Sequence, residues 1–166
     1  MEPLLTEAFR YNKWANLHLL DVCGSFTEEQ LQWTAPGTYG TLSATFLHLL
    51  AAEQRYVYRL GGSEARINER KDFPGMAALT EQAVLSGDEL IAIAPGIAPD
   101  ETREAKFETG AVILHLGVVV VQALHHGNDH RTHICTILGH HGVTYGDMDV
   151  WAYGRAMGEI APVGAA

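Results

Sequence analysis

The sequence is 166 residues long, with 47% hydrophobic residues, 19% charged residues and a formal net charge of −9. This length suits a single domain with a sizeable core, and the acidic balance argues against nucleic acid as a partner, because phosphate backbones are bound by clustered Lys and Arg. The longest apolar window, residues 110–124, is too short to span a membrane. The N-terminus lacks the basic and apolar pattern of a signal peptide. We therefore expect a soluble, cytoplasmic protein with no membrane partner.

The first predicted element is a helix over residues 4–23, which has an apolar stripe and a glycine as its C-terminal stop. Thr27 and Gln30 then form a capping-box pattern, which predicts a short helical turn over residues 26–31. The second long helix is predicted over residues 41–60, where apolar residues recur at helical spacing until two glycines end the pattern.

A polar connection leads to the third predicted helix, over residues 76–93. Residues 102–110 are ambiguous and are compatible with a short extended piece. The fourth helix is predicted over residues 112–139, and its first half is apolar on all sides, which predicts a buried central position. A Val-rich sequence is also typical of a buried strand, and periodicity alone does not separate the two. The length of the pattern favours the helix.

The end of the chain is predicted to be partly structured around Trp151 and Tyr153, with a disordered tail over residues 159–166. The elements together predict an all-α fold. It would be a single four-helix-bundle domain over residues 1–158, with a long connection before the last long helix. The two cysteines match no metal or redox pattern and are expected to be free thiols.

Histidines are concentrated near the end of the fourth predicted helix. His126 and His130 are four residues apart, so both imidazoles can point from one helix face towards one ion. A third ligand must come from another element, and His48 is the best candidate because small residues around it would let a neighbouring helix approach closely. Helical bundles commonly build metal sites from facing helices, and three histidines leave a position open for water or substrate.

The other residues near this pair have different predicted roles. His133 lies about 10 Å from His126 by helix rise, which is too far to share one ion, so it is predicted to line the site. Arg131 and Asp129 adjoin the pair and are also candidates for the substrate side. Each histidine, taken singly, also fits a hydrogen-bonded core residue, and Arg131 also fits a salt bridge. Predicted to lie outside the site are a core histidine, His115, and surface or loop histidines, His18, His125, His140 and His141.

Three segments together resemble the DinB-like, or YfiT-like, superfamily: "YNKWAN" (11–16), "FLHLLAAEQRYVYRL" (46–60) and "HHGNDHRTHICTILG" (125–139). The resemblance spans nearly the whole chain, in order. It implies a four-helix bundle with an up-down-down-up arrangement, often dimeric. It also implies a divalent metal held by one histidine of the second long helix and an HxxxH pair of the last. Those are the same three histidines that the spacing favours.

Superfamily members of known activity use low-molecular-weight thiols such as mycothiol or bacillithiol, as S-transferases or as a thiol-dependent isomerase. The resemblance therefore implies a metal-dependent enzyme that activates a small-molecule thiol for reaction with an electrophile. Zinc or nickel is the expected ion, with iron or manganese as further candidates. Many members have "HRGQ" where this chain has "HRTH" (130–133), so Thr132 and His133 change the wall beside the metal.

Two alternatives remain at this point. A metal-dependent hydrolase would need a carboxylate base, for which Asp129 and Glu53 are the candidates. A non-catalytic, metal-binding stress-response protein would hold a structural ion. In either case a homodimer is expected, because Trp14, Trp33 and Trp151 are difficult to bury in one small core and aromatic residues are favoured at interfaces.

Overall fold

The secondary structure is mostly helical, as predicted. The structure is a computed structural model that describes residues 3–107, 109–161 and 163. The helices α1 to α6 cover, in chain order, Leu4–Val22, Glu28–Leu31, Leu42–Arg59, Met76–Ile93, Leu116–His140 and Val150–Ala156. Two strands precede α5: β1 covers Thr102–Phe107 and β2 covers Gly110–His115.

The four long helices pack against one another in pairs. α1 contacts α4 and α5, and α3 contacts the same two helices. Fully buried side chains from three of these helices pack in one cluster: Leu19, Phe46, Leu50 and Ile134. Full burial of each such side chain contributes roughly 1.5–3 kcal/mol, so these contacts fix how α3 and α5 face each other.

Local sequence explains where several helices begin and end. The predicted capping box at α2 is present, with Thr27 and Gln30 each bonding the other's backbone N–H. The Thr41 side chain accepts a hydrogen bond from the backbone N–H of Ala44 at the start of α3. Gly61, with a φ of 99°, follows the end of α3 and takes a backbone conformation that other residues rarely adopt.

The main departure from the all-α prediction lies before α5. Residues Gly110–His115 form a strand that pairs antiparallel with β1, so the prediction of a helix from residue 112 is wrong. β-branched Val112 and Ile113 favour an extended backbone, and Gly110, with a φ of 125°, allows the chain to reverse between the strands. The ambiguous segment 102–110 is extended over most of its length.

The first half of α5 is less buried than its apolar sequence predicted. Val118 is 61% exposed and Val121 is 67% exposed, whereas Val119 and Ala123 on the opposite face are buried. His115 is also exposed, so the prediction of a core histidine is wrong. It ends β2 and precedes α5, and the predicted helix face does not extend to it.

The C-terminal region is structured around α6, as predicted. Tyr153 is buried and its hydroxyl donates a hydrogen bond to Glu7 on α1, whereas Trp151 is exposed. Of the predicted disordered tail, residues 162 and 164–166 lie outside the described residues. Among the residues that the structure describes, no helix has the length and apolar character needed to cross a membrane.

Candidate metal centre

Three histidines from two packed helices converge on one point. His48 lies on α3, and His126 and His130 lie one turn apart on α5. One ring nitrogen from each lies within 4.8 Å of the others. The Nε2 atoms of His126 and His48 are 3.1 Å apart, and the ring centroids of His126 and His130 are 4.3 Å apart. The structure therefore brings together the three histidines predicted as ligands.

The separations at this cluster fit a metal ion. Tetrahedral zinc with Zn–N bonds of about 2.0–2.1 Å places two ligand nitrogens about 3.3 Å apart, close to the distance between His48 and His126. His130 is 8% exposed, and its Nδ1 is buried without a hydrogen-bond partner among the described residues. Buried polar atoms are rarely left unpaired, so unsatisfied nitrogen at this position is consistent with a ligand site.

Burial and neighbouring rings keep two imidazoles of the cluster, those of His126 and His130, neutral. Burial, followed by the nearby His130 and His48, lowers the pKa of His126 to about 4. Burial, followed by His48 and His133, lowers the pKa of His130 to about 4 as well. At neutral pH both rings are therefore unprotonated and have a lone pair available for a cation.

A carboxylate supports His48 from the side away from α5. The Nδ1 of His48 contacts an Oε1 of Glu69, and Arg55 donates a hydrogen bond of 3.0 Å to the other oxygen of that carboxylate. Burial alone would raise the pKa of Glu69, but the contacts with His48 and Arg55 together hold it below its usual range. A carboxylate on Nδ1 favours the proton there and leaves the Nε2 lone pair directed at the cluster.

Tyr39 covers the His48 ring on its solvent side. The two rings are stacked with centroids 4.2 Å apart, and the tyrosine hydroxyl lies 3.0 Å from Nδ1 of His48 and 3.3 Å from Glu69. The Tyr39 ring also meets His130 edge-on, at 5.1 Å between centroids. These contacts limit rotation of the His48 ring, as the supporting residues around metal-ligating histidines commonly do.

Sequence reasoning missed Glu69 and Tyr39 because both lie on connections between helices, where no periodicity predicts a contact. Arg55 did carry a signal. It follows His48 by seven residues, which is about two helical turns, so both side chains lie on one face of α3.

The predicted substrate-side residues are placed differently from one another. His133 lies beside the cluster, with its ring 5.3 Å from that of His130 and a buried Nδ1 without a partner among the described residues. Asp129 is half-exposed and its carboxylate lies 3.2 Å from Nδ1 of His125 on the outer side of α5. Arg131 is 4% exposed and is directed at α1, away from the histidine cluster.

Arg131 belongs to a polar network in the interior. Its Nη1 donates hydrogen bonds of 2.7 and 2.8 Å to the side-chain oxygens of Asn12 and Asn16. The amides of those residues donate to Glu53, which also accepts a hydrogen bond from Ser86. Burial raises the pKa of Glu53 although these hydrogen bonds oppose the shift. Glu53, a predicted candidate for a base, is therefore engaged inside the core.

The remaining histidines lie outside the cluster. His141 stacks on Trp33 with ring centroids 4.3 Å apart, and His140 is exposed beside it. His18, predicted to be a surface residue, is half-buried, and its Nε2 lies 2.6 Å from the backbone carbonyl oxygen of Tyr145.

Comparison with known families agrees with this arrangement. A family model described as "DinB family" matches residues 1–160. The match includes all three segments that carried the resemblance and all three histidines of the cluster. A comparison with curated proteins found no similar sequence. Because the family match covers nearly the whole chain, this protein belongs to the DinB family.

Proposed function

We propose that this protein is a metal-dependent enzyme that activates a low-molecular-weight thiol at His48, His126 and His130. The observation that carries the proposal is the convergence of these imidazoles from two packed helices. A divalent ion held by neutral ligands keeps its full charge and lowers the pKa of a bound thiol or water. Zinc or nickel is the preferred ion, with iron or manganese as further candidates.

The surroundings of the cluster supply binding and orientation. Glu69 and Tyr39 hold the His48 ring in place, so that its Nε2 keeps facing the two histidines of α5. His133 borders the cluster, with its ring centroid 5.3 Å from that of His130. We propose that His133 orients substrate and leaves the metal to the other three histidines.

The protein's own cysteines support the need for an external thiol. Burial, followed by the neighbouring Cys135, raises the pKa of Cys23 to about 12. Burial also raises the pKa of Cys135. Since the thiolate is the nucleophilic form, neither side chain is suited to attack at neutral pH.

The hydrolase alternative is less well supported. It needs a carboxylate that can take a proton from water near the cluster. Glu53 is enclosed in the core network and Asp129 pairs with His125. Glu69 is near the cluster, but one of its carboxylate oxygens contacts His48 and the other accepts a hydrogen bond from Arg55.

We further propose that the four long helices form the bundle implied by the resemblance and that two chains form a homodimer. The bundle is supported by the pairing of α1 and α3 with both α4 and α5. The dimer is supported by the exposed apolar side chains of β2 and the first half of α5. Ile113 is 68% exposed, and Val118 and Val121 are similarly exposed.

The test is a screen of purified, zinc-loaded or nickel-loaded protein against small thiols paired with model electrophiles. We expect metal-dependent thioether formation that is lost in His130→Ala and retained in His141→Ala. If the loaded protein binds and activates none of the thiols, the S-transferase proposal fails. Hydrolysis of model esters by the same samples would instead support the hydrolase, and a metal without exchangeable water would support a structural role.

A further inference from the structure

A basic cavity lies between the end of α3 and the β1–β2 hairpin. It has a volume of about 660 Å³, within the range of small-molecule sites. Its lining includes four cationic side chains, Arg55, Arg59, Arg103 and Lys106. The whole chain has only 11 Lys and Arg residues and a net charge of −9. More than a third of its basic residues therefore line one concave site.

The backbone and side chains around this cavity hold its arginines in place. Nη1 of Arg103 donates a hydrogen bond of 3.1 Å to the backbone oxygen of Arg59. Arg103 passes so close to Gly61 that a Cβ there would lie 3.0 Å from Nη1. The guanidinium of Arg59 lies over the ring of Phe107, 4.9 Å from its centroid. Two elements distant in sequence are thus joined around the cavity.

The nearby carboxylates do not neutralise this group of cations. Glu104 also lines the cavity, Glu101 lies 4.0 Å from Arg103, and Glu69 pairs with Arg55. Among the residues that the structure describes, three carboxylates therefore lie near these four cations. Within the described part of the chain, the Lys106 ammonium has neither an ionic nor a hydrogen-bonded partner.

The cavity and the metal centre lie along one face of α3. Arg55 and Arg59 follow His48 by seven and eleven residues, which places the three side chains on the same side of the helix. By helix rise, Arg55 lies about 10 Å along the helix axis from His48, and Arg59 lies about 16 Å from it. Arg55 also contacts Glu69, the carboxylate that supports His48. A ligand about 10 to 16 Å long would therefore span the two sites.

We propose that this cavity binds the anionic end of the thiol cosubstrate, a small molecule that carries carboxylate or phosphate groups about 10 to 16 Å from its sulfur. The inference rests on the proposed function for the thiol end and on the cavity itself for the anionic end. Arg and Lys are the side chains suited to such groups, and Arg binds them through paired hydrogen bonds. The concave shape favours a small molecule over a polyanionic surface, which the chain's net negative charge would repel.

The anionic end is tested on the metal-free protein, so that the result does not depend on thiol chemistry. The probe is S-methylglutathione, which has two carboxylates and no free thiol, titrated by calorimetry. We expect binding that weakens about tenfold in Arg59→Gln and in Lys106→Gln, the effect of losing one charge-assisted hydrogen bond. Arg155→Gln, which removes the same charge from α6, should bind like the unaltered protein. Unchanged thermal unfolding would show that the variants are folded.

No binding at millimolar probe, or binding that is the same in Arg59→Gln and Lys106→Gln, would overturn the proposal. A second arm compares glutathione with its diethyl ester on zinc-loaded protein. Equal binding of both, with no effect of the two substitutions, leaves the thiol function intact and removes the anion site. Arg59-dependent binding to metal-free protein, together with no thiol activation by loaded protein, keeps the anion site and removes the thiol function.

Discussion

The Nδ1 of His48 contacts a carboxylate 21 residues further along the chain, that of Glu69. This contact determines which ring nitrogen of His48 faces the other two histidines. A histidine whose second nitrogen is not held can rotate or change tautomer, and either change removes a ligand from the cluster. At the scale of single residues, the metal centre therefore depends on a side chain from a connecting segment.

Replacing this carboxylate should weaken metal binding without unfolding the protein. In Glu69→Gln a neutral amide replaces the carboxylate, so the negative charge that favours a proton on Nδ1 of His48 is lost. We expect zinc affinity to fall about 10- to 100-fold. Competition with a chromophoric chelator measures the affinity. The matched control is Glu64→Gln, an exposed carboxylate on the same connection. Equal affinity in the two variants would show that Glu69 does not support the site.

The neutral histidines predict how the stability of the metal-free protein depends on pH. The pKa of both His126 and His130 is lowered to about 4 in the folded state, against an ordinary 6.5. Between these values the unfolded chain binds more protons, so the free energy of unfolding should fall as the pH falls through this window. We expect a loss of roughly 1–3 kcal/mol in total, allowing for solvent around His126.

Urea unfolding of metal-free protein at pH 7 and at pH 5 measures this dependence. The double variant His126→Asn with His130→Asn lacks both titrating groups and should show a flatter profile. Identical profiles for the double variant and the unaltered protein would mean that these rings do not carry the effect. Glu69 does not confuse the comparison, because its lowered pKa places its contribution at more acidic pH.

At the scale of elements, α5 has to satisfy two requirements at once. One of its faces presents two histidines to α3, and another face approaches α1 closely at Gly127, between those histidines. A Cβ at Gly127 would lie 2.5 Å from Oδ1 of Asn12 and 2.9 Å from Nη1 of Arg131. The missing side chain therefore makes room for the hydrogen bond between Asn12 and Arg131.

The substitution Gly127→Ala should therefore destabilise the protein although alanine is the better helix former. We expect a loss of about 1–3 kcal/mol in the free energy of unfolding, because the Cβ overlaps buried polar atoms. The matched control is Gly139→Ala in the same helix, where a Cβ meets no atom within 4 Å. It should be neutral or stabilising by up to about 1 kcal/mol. Urea unfolding measures the change in the free energy of unfolding for both variants. Equal changes would contradict the close approach at Gly127.

The elements also show what periodicity can and cannot predict. The helical spacing of His126 and His130 is a local property, so the sequence was sufficient to place them on one face. The start of α5 was not predictable in this way, because a Val-rich run fits a strand and a helix equally well. Pairing between β1 and β2 determines where the strand ends and α5 begins, and that pairing depends on contacts with residues outside the segment. Glu69 was missed because it lies on a connection between helices, where residues that make contacts show no periodic spacing in the sequence.

At the scale of the whole molecule, the exposed apolar face formed by Ile113, Val118 and Val121 predicts a dimer in solution. Burying such a face is favourable in proportion to the area removed from water. Light scattering should give about twice the chain mass of 18.1 kDa. Val121→Glu should shift the protein towards the monomer, whereas the same change at half-exposed Val84 on α4 should not. A mass near that of one chain for the unaltered protein would contradict the dimer.

The most direct test of the metal centre is the metal content of purified protein and its histidine variants, measured by mass spectrometry after zinc loading and gel filtration. We expect one ion per chain in the unaltered protein and in His133→Ala. The metal should be lost in His48→Ala, His126→Ala and His130→Ala, because two remaining ligands do not hold an ion in a defined geometry. If His133→Ala loses the metal as completely as His48→Ala, or if His130→Ala retains it, the proposed site is wrong.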